Sequence, residues 1–343
     1  MTAYPPAPRL TANPSPLRHP RSIRRTTSID VTWPNGPEGE RRMEGRSRDV
    51  LRSGTGEDRL RAEAQMVAMI GMDRTIDAII ANPAPAAIGK LVGERGGGHL
   101  RLVLRDVMPE LIAQGSPLYL LLDDISGTSL VSQWAISQWY PGWQERMRAL
   151  LESASPEVSA FANRTDVCWG FRQGSTALED VELRVKTDEA ASGGELRNPA
   201  DPEGWHEFPV SEGMAFRRAR RIDVWREPGA DGAIRIEAAF QDSAPRPAGD
   251  RAALHEYIVH VTADPQTLQI TALDPEPRVL PFWECPGAIP NAKKLIGTAL
   301  PDMRTAVHDS LRGPVGCTHL NDALRSLAEV PALLGFLDQA LAD

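Results

Sequence analysis

Apolar and polar positions alternate along several stretches of the chain. His255, Tyr257, Val259 and Val261 interleave with Leu254, Glu256, Ile258 and His260, the period of a half-buried strand. The same pattern predicts strands near 28–32 and 43–51 and a hairpin of 60–70 with 74–80. It predicts a second set near 222–226 and 233–241, with a hairpin of 254–262 and 267–273. Pro34-Asn35-Gly36 and Gly229-Ala230-Asp231-Gly232 supply turn chemistry between the paired strands. The period lengthens to that of a helix over 98–114 and 292–311, and a further helix follows each stretch. Strands first and helices afterwards, in each half, predict an α+β fold.

The two halves read as copies. Arg24-Arg25-Thr26-Thr27-Ser28-Ile29-Asp30-Val31 aligns with Arg217-Arg218-Ala219-Arg220-Arg221-Ile222-Asp223-Val224. Without a gap, Glu44 then falls on Glu237 and Asp49 on Asp242. One inserted residue sets Leu60–Ile70 on Leu254–Asp264, and Thr75–Ile79 then meets Gln269–Leu273. Lys90-Leu91-Val92-Gly93 matches Lys294-Leu295-Ile296-Gly297, and Leu122-Asp123-Asp124 matches Leu320-Asn321-Asp322. The alternative is two generic α+β segments with similar punctuation.

A repeat this long implies two similar domains, each an antiparallel sheet followed by helices, packed as a pseudo-symmetric pair. The expected layout is a disordered or extended arm over 1–20, a first repeat over 21–184, a linker over 185–212 and a second repeat over 213–343. The linker holds Ser192-Gly193-Gly194, Pro199, Pro202 and Pro209. Asp166–Phe171, just upstream, reads as β-like and belongs to the first sheet or crosses to the second.

A net charge of −8 argues against a general nucleic-acid binder, which needs a basic face. The repeat explains the paired arginines as equivalent strand starts. Three cysteines, an odd and low count, suit a reducing compartment, and the first twenty residues lack the run of a signal peptide. The apolar run from Leu118 stops at Asp123, far short of the roughly 20 residues of a membrane span. A cytoplasmic protein without membrane or nucleic-acid partners is expected; a small molecule is the expected partner, and the pattern leaves room for a homodimer.

Gly316-Cys317-Thr318-His319-Leu320 concentrates the candidate chemistry. Opposite it the first half has Tyr119-Leu120-Leu121, without thiol or imidazole. Cys285, Cys317 and His319, with Cys168 as a fourth, have the donors of a zinc site, although Cys-x-His is no standard spacing. Cys317 at a helix start is alternatively a nucleophile, with His319, His255 or His308 as base and Asp322 or Asp309 to orient it. A non-covalent acid/base pair of His319 with Glu256 or Asp322 is a third reading. Against all three stands the plain one, in which a reduced thiol and a satisfied imidazole pack at a helix start. Gly96-Gly97-Gly98 lacks a P-loop context and reads as a flexible helix entry. His206 beside Trp205 sits where it can cover a pocket.

Residues 216–335 resemble a bacterial family catalogued as domain of unknown function 2889. The resemblance is carried by Arg220-Arg221-Ile222, Asp231-Gly232, Leu254-His255-Glu256, Cys285-Pro286 and residues 316–320, with Asp166-Val167-Cys168 similar to a further family segment. It implies fold company and brings no activity. The expectation that results is a catabolic enzyme, of hydrolase or lyase type, acting on a small apolar or aromatic acid or acyl derivative. Its pocket would lie between the halves, walled by tryptophans, with Cys317, His319 and Cys285 at the polar end. The alternative is a non-catalytic small-molecule-binding or assembly protein with structural Cys and His.

Overall fold

The computed structural model describes residues 10–152, 164–178, 191–211, 213–229 and 232–342. The start of the expected arm, the beginning of the expected linker and the turn residues Ala230 and Asp231 lie outside the described residues. The strands are β1 (Ser22–Thr32), β2 (Arg41–Arg52), β3 (Asp58–Ile70), β4 (Ile76–Asn82), β5 (Ala191–Ser192), β6 (Ala215–Arg226), β7 (Ile234–Pro245), β8 (Arg251–Ala263) and β9 (Ile270–Val279). All pair antiparallel in the order β4-β3-β2-β1-β6-β7-β8, with β5 and β9 both on β8. Where the sequence predicts a sheet in each half, the chain forms one sheet, because β1 and β6 pair along their whole length.

The β1–β6 pair is polar at its heart. Arg24 lies opposite Asp223 and Asp30 opposite Arg217, each pair bridged at 2.5 and 2.6 Å. One strand further out, Arg25 grips Asp49 across β1–β2 and Arg218 grips Asp242 across β6–β7, both bidentate. A bulge follows each of these aspartates. Asp49 faces Ala62 and Asp242 faces His255, so the two registers agree through β3 and β8 without an inserted residue. The extra residue lies in the next turn, where Arg74 and Leu268 both take positive φ, 77° and 58°. That corrects the alignment read from sequence, which inserts it before Leu60. Side-chain alternation cannot locate an insertion that a turn absorbs.

The helices are α1 (Gly98–Val107), α2 (Pro109–Ala113), α3 (Pro117–Val131), α4 (Trp134–Trp139), α5 (Trp143–Glu152), α6 (Met303–Ser310), α7 (Thr318–Arg325) and α8 (Val330–Ala342). The helix expected from residue 292 instead begins as a 3-10 run, Cys285–Leu295, since Pro286 and Pro290 cannot donate to a regular ladder. Asp166–Phe171 is no strand: it ends in a short turn of 3-10 helix whose Trp169 amide donates to the Gly316 carbonyl at 2.7 Å. This segment therefore crosses to the second half.

Helices α3, α7 and α8 cover one face of the sheet. α3 is buried on all sides from Pro117 to Ser129, apolar in its first half and carrying buried Asp123, Asp124, Ser126, Thr128 and Ser129 in its second. Segments 10–20 and 191–211 cover the other face, where His206 bonds Thr26 and Ser28, and Arg18 bonds Asp201.

Gly127 marks where α3 meets the buried arginines. A methyl there would lie 1.9 Å from Arg218 Nη1 and 2.6 Å from Asp322 Oδ2. Gly127→Ala is expected to lower stability by about 1–3 kcal/mol in urea denaturation, the cost of overpacking. Gly335→Ala on α8, where the methyl meets nothing within 4 Å, is the neutral or stabilising control.

Candidate functional site around His255 and His319

Cys317 is the residue just before α7, in an extended conformation, and Thr318 opens the helix. Successive helical side chains diverge by about 100°, so Cys317 and His319 face different surroundings. The structure divides them. Cys317 turns towards the sulfur of Cys285 and Cys168 and accepts a hydrogen bond from the Tyr257 hydroxyl at 3.6 Å. Gly170 leaves room for this group, since a methyl there would be 2.9 Å from Cys285 Sγ and 3.9 Å from Cys168 Sγ.

All three thiols are buried. Burial pushes each above the ordinary thiol range, Cys317 to about 11, and the amides of Leu320 and His319 only partly offset it. A helix N-terminus is expected to favour a thiolate. Here desolvation wins.

His319 enters a charged cluster on the helix-covered face of the sheet. Its ring stacks on His255 with centroids 3.5 Å apart and planes 21° from parallel, and on Phe240 at 6.2 Å. His255 Nδ1 lies 3.1 Å from Asp242 Oδ2. Arg218 holds both Asp242 oxygens at 2.9 Å and reaches Asp322 at 3.1 Å. Asp322 also accepts from Arg101 at 2.9 Å and from Arg325. Arg220 completes the group with two bonds to Asp124, at 2.7 and 3.1 Å.

Charge states follow from these neighbours. Burial would raise the Asp242 carboxyl, but Arg218 and His255 hold it well below the usual range. Asp322 is held low in the same way by Arg101, Arg325 and Arg218. Burial depresses His255 against the pull of Asp242, and burial with the adjacent His255 depresses His319 strongly. Two ionised carboxylates thus sit beside two neutral imidazoles. Imidazoles held neutral in this way are weak bases whose free ring nitrogen remains able to ligate a metal.

Asp242, His255 and His319 place one ligand atom each within 4.8 Å of one another, the one such group of three among the described residues. His319 Nε2 is buried and has no hydrogen-bond partner among them. Cys285, Cys317 and His319 form no such group, because the helix start separates thiol from imidazole.

The other candidates scatter. Glu256 follows His255 on the strand and so points to the opposite face, where it accepts from the Ala12 amide and Gln241 at 2.5 and 2.7 Å. His308 and Asp309 pair with each other at 2.9 Å on the surface. Asp322 does join the cluster. The sequence reading does not single out Asp242, although its alignment with Asp49 is a usable signal: each half has an aspartate before a bulge.

Cys317 lines neither of the two described cavities. One of about 420 Å3 is lined by Leu10, Asn13, Ser192 and Arg197 among others. The other, of about 210 Å3, has Arg46, Arg48, Gln65 and His206 in its wall, on the far face of the sheet. The tryptophans do not gather round one pocket: Trp205 bonds Ser15, Trp225 stacks on His19, and Trp139 bonds the Pro245 carbonyl.

Residues 216–332 match the model of a protein family of unknown function, DUF2889. That segment contains Asp242, His255, Cys285, Cys317 and His319. No curated protein and no solved structure matches the chain. No helix among the described residues is long and apolar enough to cross a membrane.

Proposed function

We propose that the chain is a non-catalytic small-molecule-binding protein of the cytoplasm, whose cysteines and histidines support the fold. The observation that carries this reading is the state of Cys317, 4% exposed with its thiol raised to about 11. A cysteine hydrolase or lyase needs an accessible thiolate beside a base, and here the nearest imidazole in sequence faces away. The register of β1 with β6, and the matching bulges after Asp49 and Asp242, support descent of the two halves from one duplicated unit.

The test is thiol reactivity in the native protein. All three cysteines are expected to react with a chromogenic disulfide reagent only as fast as the protein opens, and Cys317→Ser is expected to fold and bind ligand as the wild type does. A single fast-reacting thiol lost in Cys317→Ser, together with turnover of an acyl substrate lost in the same variant, would overturn the reading.

A second reading concerns metal, and the unpartnered His319 Nε2 favours it. Zinc suits the nitrogen and oxygen donors of Asp242, His255 and His319, and in this reading those three replace the cysteines as its ligands. It would tie α7 to β7 and β8. Metal analysis is expected to find about one zinc per chain, kept in Cys317→Ser and lost in His319→Ala. Metal-free protein whose melting temperature ignores added zinc sinks it.

A further inference from the structure

The polar face of the sheet carries a second constellation that the His–Asp cluster does not use. On β2, Arg46 and Arg48 project to the face covered by segment 191–211, beside His206 and Gln65 in the cavity of about 210 Å3. Arg46 Nη1 and Arg48 Nε are buried there without a hydrogen-bond acceptor among the described residues. Other atoms of each guanidinium are engaged: Arg46 Nη2 by the Glu44 carboxylate at 3.2 Å, Arg48 Nη1 by the Glu203 carboxylate at 3.4 Å, and Arg48 Nη2 by the carbonyls of Glu203 and Trp205, the first at 2.7 Å. Buried charged donors left without an acceptor are costly, so an acceptor is expected at this cavity.

His206 closes the floor of the cavity. Thr26 lies 3.0 Å from its Nδ1 and Ser28 2.8 Å from its Nε2, so both ring nitrogens are engaged and the ring is held rigid. Burial, then the charges of Arg48, Arg217, Arg46 and Arg197, keep it neutral, with a pKa near 3. Those four strongest charges felt by the ring are all positive. At the rim stand the exposed carboxylates of Glu63 and Glu207. Two guanidiniums, each already paired with one carboxylate, and two further carboxylates at the rim admit at most a singly charged anion and repel one with two or three charges. The volume is smaller than the about 300–1,000 Å3 of drug-sized pockets, which limits the ligand to a compact molecule.

We infer that the Arg46–Arg48–His206 cavity is a binding site for a small monocarboxylic acid. The carboxylate takes Arg46 Nη1 and Arg48 Nε as donors once a rotamer shift of the two side chains uncovers those buried atoms, and the remainder of the acid lies along Gln65 towards the rim. The inference rests on the binding reading above and names the class of ligand for it. Charge-assisted bonds to two guanidiniums supply most of the affinity.

Calorimetric titration of the full chain with benzoate and lactate, and separately with inorganic phosphate, tests the site. At least one of the two acids is expected to saturate one site, with phosphate much weaker. Arg46→Ala is expected to weaken acid binding about tenfold or more. Arg42→Ala, at a half-buried arginine on the same strand that shares the Glu44 partner but does not line the cavity, is expected to leave it unchanged. Arg46→Lys should restore part of the affinity, which separates loss of charge from loss of fold. Equal acid binding by wild type and Arg46→Ala overturns the assignment of the cavity while the binding reading stands. Phosphate binding that matches or exceeds the acids overturns the ligand class, and absence of acid binding by the wild type overturns the site. None of these outcomes depends on Cys317, whose reactivity tests the binding reading by itself.

Discussion

Asp242→Ala is expected to lower stability by about 3–5 kcal/mol, the cost of leaving a buried guanidinium without its carboxylate. Asp242 is fully buried, and it accepts from Arg218 through both oxygens and from His255. A domain is typically stable by about 5–15 kcal/mol, so this one change removes a large part of the margin. Urea denaturation at pH 7.5 reads the loss. The double variant Arg218→Met with Asp242→Leu should recover much of it, because apolar groups of similar volume do not leave an unpaired charge. If the double variant is as unstable as Asp242→Ala, the deficit comes from packing and the electrostatic account fails.

Mild acid is expected to destabilise the protein well before its carboxylates titrate. His206 and His319 are both held neutral in the folded chain, His206 with a pKa near 3 and His319 far below the usual value. In the unfolded chain each titrates near its ordinary value of about 6.5. Below that value the unfolded state binds protons that the folded state refuses, so stability falls as pH drops. For His206 the loss approaches about 1.4 kcal/mol per pH unit, or about 2 kcal/mol at pH 5, and His319 adds to it in the same direction. Asp242 and Asp322 act in the same direction at lower pH, because their depressed values withdraw stability only as pH falls through and below the unfolded carboxylate range. Urea midpoints measured from pH 7.5 to pH 5 should therefore fall steadily, and His319→Phe should flatten the slope. A midpoint that does not move over this range refutes the burial of neutral histidines.

The strands were legible because alternation is a local signal. β8 extends over Arg251–Ala263 where the pattern places a strand at 254–262, β7 lies close to its expected position, and β9 starts and ends later than the expected 267–273. Helix α7 begins at Thr318, as the Gly-Cys-Thr-His segment suggests, but the preceding run is 3-10 because its prolines decide the ladder. The candidate site was legible only in part. His255, His319 and Asp322 were named and do meet, whereas Glu256 was named and cannot meet them, since neighbours on a strand point to opposite faces. Asp242 escaped notice because an aspartate in a strand looks like a solvated residue until its arginine partner, on the adjacent strand, is known.

Sequence by itself determined the alternating strands, their order, the arginine-rich starts of β1 and β6, and the presence of thiols and an imidazole at one helix start. Those properties depend on near neighbours in the chain. Only the tertiary structure decided that the halves share one sheet, that the arginines are buried in ion pairs, and that Cys317 and His319 lie in different environments. Each of these depends on which distant residues cross the sheet, and desolvation by those residues sets the charge of every group in the cluster. The same thiol that reads as a nucleophile from its place before a helix is therefore, in the folded chain, a neutral sulfur packed beneath a tyrosine hydroxyl.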